Sequence, residues 1–178
     1  MKKLFIVTAL MLLLFDPAKA RVNEYAYPET YLQYVPAVFM LAAGELGGVK
    51  SEHVFVDRLV NTVSTYLIQA AVVYPVKWIV HEERPDGSAF NSFPSGHSAA
   101  TFAGAEMIRQ EYGWGWGAVF YASAVATATL RVVHNRHWWW DTVAGAAIGI
   151  GSAHLGRLCT DKLMICISPN SVALTYRF

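Results

Sequence analysis

Five stretches of this chain, 31–44, 59–76, 87–105, 112–130 and 142–156, each run for 14 to 19 residues without an Asp, Glu, Lys or Arg. A chain so interrupted has few ways to fold, because each stretch must be buried against another or against lipid. Charged residues make up only 15% of the 178 residues and hydrophobic ones 54%, against about a quarter charged in an average soluble domain. Disorder, coiled coils and acidic tails are excluded on that ground. The formal net charge is +1, so no surplus of cations exists to hold a nucleic-acid backbone by counterion release.

Most of the stretches read as helices. In the second, Val60, Val63, Tyr66, Leu67, Ala70, Ala71, Tyr74 and Trp78 recur at three and four residues, the period of one helical face. Asn61, Ser64, Thr65 and Gln69 occupy the other face, and Pro75 is expected to kink the last turns. Either that polar face meets other helices, or the segment is a core helix in water. The stretches 112–130 and 142–156 are rich in Gly and Ala, as helices that approach closely are, and Gly145 and Gly149 have the small-xxx-small spacing. Membrane embedding is the favoured expectation, although a span needs about 20 apolar residues.

Residues 1–20 look like an export address. Lys2 and Lys3 precede a twelve-residue apolar run, 4–15, followed by Ala18-Lys19-Ala20, the layout of a cleaved secretory signal. An uncleaved anchor would need a longer run: twelve helical residues reach about 18 Å. Residues 21–178 are then expected to form one domain on the outer, periplasmic side of the membrane. There Cys159 and Cys166 are free to pair or to remain two thiols. No repeat or linker suggests a second domain. Residues 163–178 leave the helical pattern, and 172–178 alternates partly like a strand.

The few charges fall in a pattern. Lys77 and Arg84 are seven apart, and share a face if the helix persists past Glu83. Pro85-Asp86-Gly87 is a turn signal. Phe93-Pro94-Ser95-Gly96-His97 directly precedes a helical run, so Ser95 is a candidate N-cap, and free amides at Gly96 and His97 would favour an anion. Arg131, His137 and Asp141 form the third group, in which a carboxylate four residues on would fix the imidazole tautomer. His134, His137 and Asp141 have spacings that suit a metal, but Lys77, Arg84 and Arg131 would surround it with like charge. Three fixed cations suit a phosphate-like anion better, so no metal or other cofactor is expected.

Lys77 and Arg84-Pro85, then Pro94-Ser95-Gly96-His97, then Arg131, His137 and Asp141, in this order and spacing, resemble the three-part signature of type 2 phosphatidic acid phosphatases and vanadium haloperoxidases. The resemblance covers residues 77–141. It implies an all-α fold, a bundle of about five to six helices with the site between them, and a metal-independent phosphatase. By that resemblance His137 is the nucleophile that forms a phosphohistidine, Asp141 orients it, and His97 protonates the leaving oxygen and then helps activate water. Lys77, Arg84, Ser95, Gly96 and Arg131 would hold the phosphoryl oxygens. Leu130 stands where the family usually has serine, which removes one hydroxyl from the site's surroundings.

The expected substrate is a membrane-lipid phosphate monoester or pyrophosphate: phosphatidic acid, phosphatidylglycerol phosphate, undecaprenyl pyrophosphate or a lipid A phosphate. The alternatives are a soluble periplasmic acid phosphatase, a vanadate-dependent haloperoxidase, and a non-catalytic anion-binding membrane protein. Trp138, Trp139 and Trp140 lie outside the signature and suit either a membrane interface or packing.

Overall fold

The computed structural model describes residues 29–44, 53–168 and 171–176, with the side chains of 30–44 and 53–162. The expected signal segment and the Cys166 side chain lie outside the described residues. The elements are α1 (Glu29–Leu32), α2 (Val35–Ala42), α3 (Phe55–Val80), α4 (Gly96–Val133), α5 (Trp139–Lys162) and an antiparallel hairpin of β1 (Leu163–Ser168) with β2 (Ser171–Tyr176). The fold class is all-α, as expected, and β2 lies in the segment whose alternation was strand-like.

The stretch α4 is two helices rather than one. Gly113 has φ +79 and ψ −178, a conformation that only glycine adopts without strain. In a continuous helix residues 106 and 121 would stand about 22 Å apart. Here the Tyr121 hydroxyl donates to Glu106 Oε2 at 2.6 Å, and the Arg109 guanidinium lies 5.2 Å from the Trp114 ring centroid. Phe102 and Tyr121 also meet, ring to ring, at 6.0 Å. The chain therefore doubles back at Gly113 into an antiparallel helical hairpin. Its return arm brings Arg131 to the end from which Ser95 and Gly96 started. Across the closed end lies α2: Phe39 packs on Tyr112, Trp116 and Phe120, and the Tyr112 hydroxyl donates to the Met40 carbonyl at 2.8 Å.

The polar face of α3 meets other helices. Arg58, Asn61, Thr62, Thr65 and Gln69 are buried, whereas Leu67, Tyr74 and Trp78 are 65, 69 and 84% exposed. The apolar face read from the sequence thus points outward, the reverse of a water-soluble bundle. Helix α5 has the same sense: Gly145, Gly149, Ser152, Gly156 and Thr160 face inward, and Val143, Leu155 and Leu158 face out. Both Phe55–Val80 and Gly96–Val133 contain apolar windows of mean hydropathy 1.3, of which only 17% and 28% is buried. A core helix in water would be mostly buried, so these surfaces are compatible with lipid.

The Gly145 and Gly149 spacing marks a real crossing. A Cβ on Gly145 would strike the Ser95 carbonyl, and one on Gly149 the Ala99 carbonyl. One on Gly156 would strike Thr65 of α3. The α5 backbone therefore lies directly against the start of α4, and side chains near either helix end are held at fixed separation. Gly151, by contrast, has open space around it. Gly149→Ala should lower the thermal unfolding midpoint in detergent, with a cost of about 1–3 kcal/mol. Gly151→Ala in the same helix should leave it unchanged or raise it slightly.

Candidate active site

At the open end of the α4 hairpin the three charged groups meet. Ser95 is the N-cap of α4, its hydroxyl accepting from the Ser98 amide at 3.4 Å. Its own N–H donates to the Asp141 carbonyl at 3.0 Å, which joins the start of α4 to the start of α5. Gly96 lies against Lys77: a Cβ there would be 4.0 Å from Lys77 Cε and 3.9 Å from Val73 Cγ1. The first amides of α4 thus lie beside the Lys77 stem, and a helix start next to a cation favours an anion. His97, half-buried, follows in the first turn.

Lys77 and Arg84 do not share a helix face. Helix α3 ends at Val80, where His81 takes the left-handed conformation at φ 50, and its N–H closes the helix on the Lys77 carbonyl. Arg84 comes instead from the loop, buried to 9% exposure. Its N–H donates to the Ala89 carbonyl and its carbonyl accepts from the Gly87 amide, both at 2.9 Å, which forms the turn expected at Pro85-Asp86-Gly87. Lys77 Nζ donates to the carbonyls of Asn91 and Ser92 at 2.6 and 3.2 Å. The cation thereby holds the strand of loop that leads into Ser95.

Arg131 is fully buried in the last turn of α4, and its carbonyl accepts the amides of Arg136 and His137 at 3.0 and 3.2 Å. The turn between the arginine and the histidine is thus closed on the arginine's own backbone. His137 precedes α5 rather than lying on it, so the histidine and Asp141 are not two positions of one helix. Asp141 instead reaches back from the first turn, accepting from the Trp138 amide at 2.9 Å, and its Oδ2 stands 3.5 Å from His137 Nδ1. With Nδ1 turned to the carboxylate, Nε2 is the ring nitrogen left for a substrate.

Burial, and then the positive charges of Arg131, Lys77 and Arg84, push the His137 pKa down to about 4 from 6.5, although Asp141 opposes the shift. The imidazole is therefore neutral at ordinary pH. Glu82 is on the same rim, and burial, with Asp141 nearby, pushes its carboxyl up.

The structure brings together Lys77, Arg84, Ser95, Gly96, Arg131, His137 and Asp141, and His97 follows Gly96 in the first turn of α4. Others had no signal of their own. Ser92 is fully buried, with its hydroxyl on Asp141 Oδ2 at 2.5 Å. Trp138 Nε1 donates to the Glu83 carbonyl at 3.1 Å and Trp140 Nε1 to Glu82 Oε1 at 3.0 Å, while the two rings stack 5.1 Å apart. These tryptophans staple the loop after α3 to the start of α5, and their rings stay partly exposed. Arg136, outside the signature, pairs with Asp86 at 2.9 Å and steadies the same loop.

The family model described as the PAP2 superfamily matches residues 58–165. The chain belongs to this superfamily. Among the relatives of this PAP2 chain is a lipid A 1-phosphatase of Porphyromonas gingivalis, 35% identical over 135 residues, which cover 74% of this chain and 30% of that protein. A lipid A 4'-phosphatase of Helicobacter pylori is 33% identical over 73 residues, 41% of this chain and 37% of the relative. The chain thus spans about a third of the length of these relatives. No solved structure matches.

In this PAP2 site, the His137 resonance in nitrogen-15 histidine spectra should titrate near pH 4. Lys77→Met removes one of the charges that depress it and should move that titration upward. A depressed histidine pKa stabilises the fold fully above the unfolded value of 6.5, and this contribution is lost as pH falls toward 4.

Proposed function

We propose that the chain is a phosphatase of membrane lipids that removes a phosphate from lipid A or a closely similar phosphorylated glycolipid, through a phosphohistidine and without a metal. The observation that carries this reading is the neutral His137, turned by Asp141, inside a ring of three cations on a bundle whose apolar faces point outward. The names of the two relatives support lipid A within the broader class of lipid phosphate monoesters and pyrophosphates. The exposure of Leu67, Tyr74 and Trp78 on one helix favours a membrane enzyme over a soluble acid phosphatase.

In this mechanism Lys77, Arg84, Arg131 and the first amides of α4 hold the phosphoryl oxygens, where charge accumulates in the transition state. His137 Nε2 attacks phosphorus, the bond from phosphorus to the sugar oxygen breaks, and His97 gives its proton to that oxygen. A P–N bond now joins phosphate to His137. His97, having lost its proton, takes one from water, whose oxygen attacks phosphorus and breaks the P–N bond. Inorganic phosphate leaves, and both histidines are back in their starting states.

In this reading the site faces the outer side of the membrane, with residues 1–20 as the exporting signal and 21–178 as one catalytic domain. Purified protein in detergent should release phosphate from bisphosphorylated lipid A and transiently carry a base-stable, acid-labile phosphoryl group. His137→Ala should abolish both, with a loss of about 10⁴-fold or more in turnover. Arg84→Ala should lower turnover by about 10²–10³-fold. Phosphate release that survives His137→Ala would overturn the mechanism, and activity on small soluble esters alone would overturn the substrate class.

A further inference from the structure

We infer that Ser92, which lies outside all three parts of the signature, is a positioning residue that fixes Asp141 and through it the His137 ring. The inference rests on the phosphohistidine reading for its kinetic consequence but not for its structural one.

The carboxylate torsion of an aspartate is broad and two-fold, so the residue cannot by itself present one oxygen in one direction. His137 needs that direction more than a helical residue would, because it stands in the short link between α4 and α5. Asp141 Oδ2 faces Nδ1 at 3.5 Å and is held by two donors, the Trp138 amide at 2.9 Å and the Ser92 hydroxyl at 2.5 Å. The amide belongs to the same turn as Asp141 and moves with it. Ser92 comes from 49 residues earlier and is the fixed point.

Ser92 is itself fixed from both sides. Its N–H donates to the Glu82 carbonyl at 2.9 Å, and its carbonyl accepts from Lys77 Nζ at 3.2 Å. It is fully buried, so no water competes for the hydroxyl. One residue therefore ties a phosphate-binding cation to the carboxylate that orients the nucleophile. Losing the hydroxyl would leave the carboxylate to the Trp138 amide of its own turn and to the neighbouring Glu82 carboxyl, and would loosen the choice of which ring nitrogen carries the proton.

The test uses the full chain in detergent, as wild type, Ser92→Ala, Ser92→Thr and Ser92→Cys. Nitrogen-15 histidine spectra without substrate should show His137 as one tautomer, protonated on Nδ1, in wild type and Ser92→Thr. The alanine variant should show a mixture. Turnover of lipid A should fall by about 10–100-fold in Ser92→Ala with KM unchanged, and threonine should restore it. Cysteine, near-isosteric but a weak donor, should behave as alanine does, and so decides the matter if the alanine variant does not fold. An unchanged His137 tautomer in the folded alanine or cysteine variant would overturn the inference. So would a rise in KM at constant turnover. Wild-type protein that releases no phosphate would defeat the proposed function, while the spectra would still decide the role of Ser92.

Discussion

The reversal of the chain at Gly113 is the constraint on which the rest depends. It returns Arg131 to the helix start at Ser95, and so joins the second and third parts of the signature. The turn is held by buried carboxylates rather than by apolar packing alone. Glu106 accepts from Arg109, Gln110 and Tyr121. Glu111 accepts from His53, by ring and by amide, and from Arg157. A carboxylate buried without such donors costs several kcal/mol, so these partners allow the two carboxylates to stand beside the turn, and the Tyr121 bond ties its two arms together. They also place Phe55–Val80 and Trp139–Lys162 beside the hairpin, since His53 leads into the one and Arg157 belongs to the other.

Much of the site was legible because its residues are rare in this chain. Seven polar side chains and a glycine in a charge-poor sequence stand out by their order, and their spacing points to phosphate before any fold is known. The partners of those groups were not legible. Ser92 is one serine among many, and its bond to Asp141 depends on the path of the loop from His81 to Phe93. Trp138 and Trp140 were noticed as bulk, not as donors. The helix pattern told which faces of α3 differ but not which face turns inward, because periodicity is blind to the solvent. The break at Gly113 was hidden for a related reason. The stretch from Tyr112 onward reads as a new helix, but nothing local says that it runs antiparallel to the last.

Small residues and polar residues share the interior. Gly145, Gly149 and Gly156 let backbones touch, and Thr65, Asn61 and Gln69 fill the space with groups that can bond one another. Where lipid is the surrounding solvent, apolar surface gains little from hiding, and close contact has to hold the helices together. The same contacts hold Ser95 on the Asp141 carbonyl, so helix association and the site's geometry are one property. Leu130, half-buried on the return arm, brings no hydroxyl to this interior, and the hydroxyl found on the Asp141 carboxylate comes from the loop after α3 instead.

The two arms of the α4 hairpin act as levers with their fulcrum at Gly113. From that turn to Arg131 the return arm runs 18 residues, about 27 Å. A tilt of only about 5° between the arms would carry the arginine more than 2 Å, and a misplacement of about 1 Å is enough to cost a catalytic site 10²-fold. The alignment of Arg131 with Ser95 is thus sensitive to the far turn, where Tyr121 of the return arm bonds Glu106, as well as to the crossing of Gly145 and Gly149 at the near end. A small change at the turn is magnified along the arm, and the glycine crossing is what limits it.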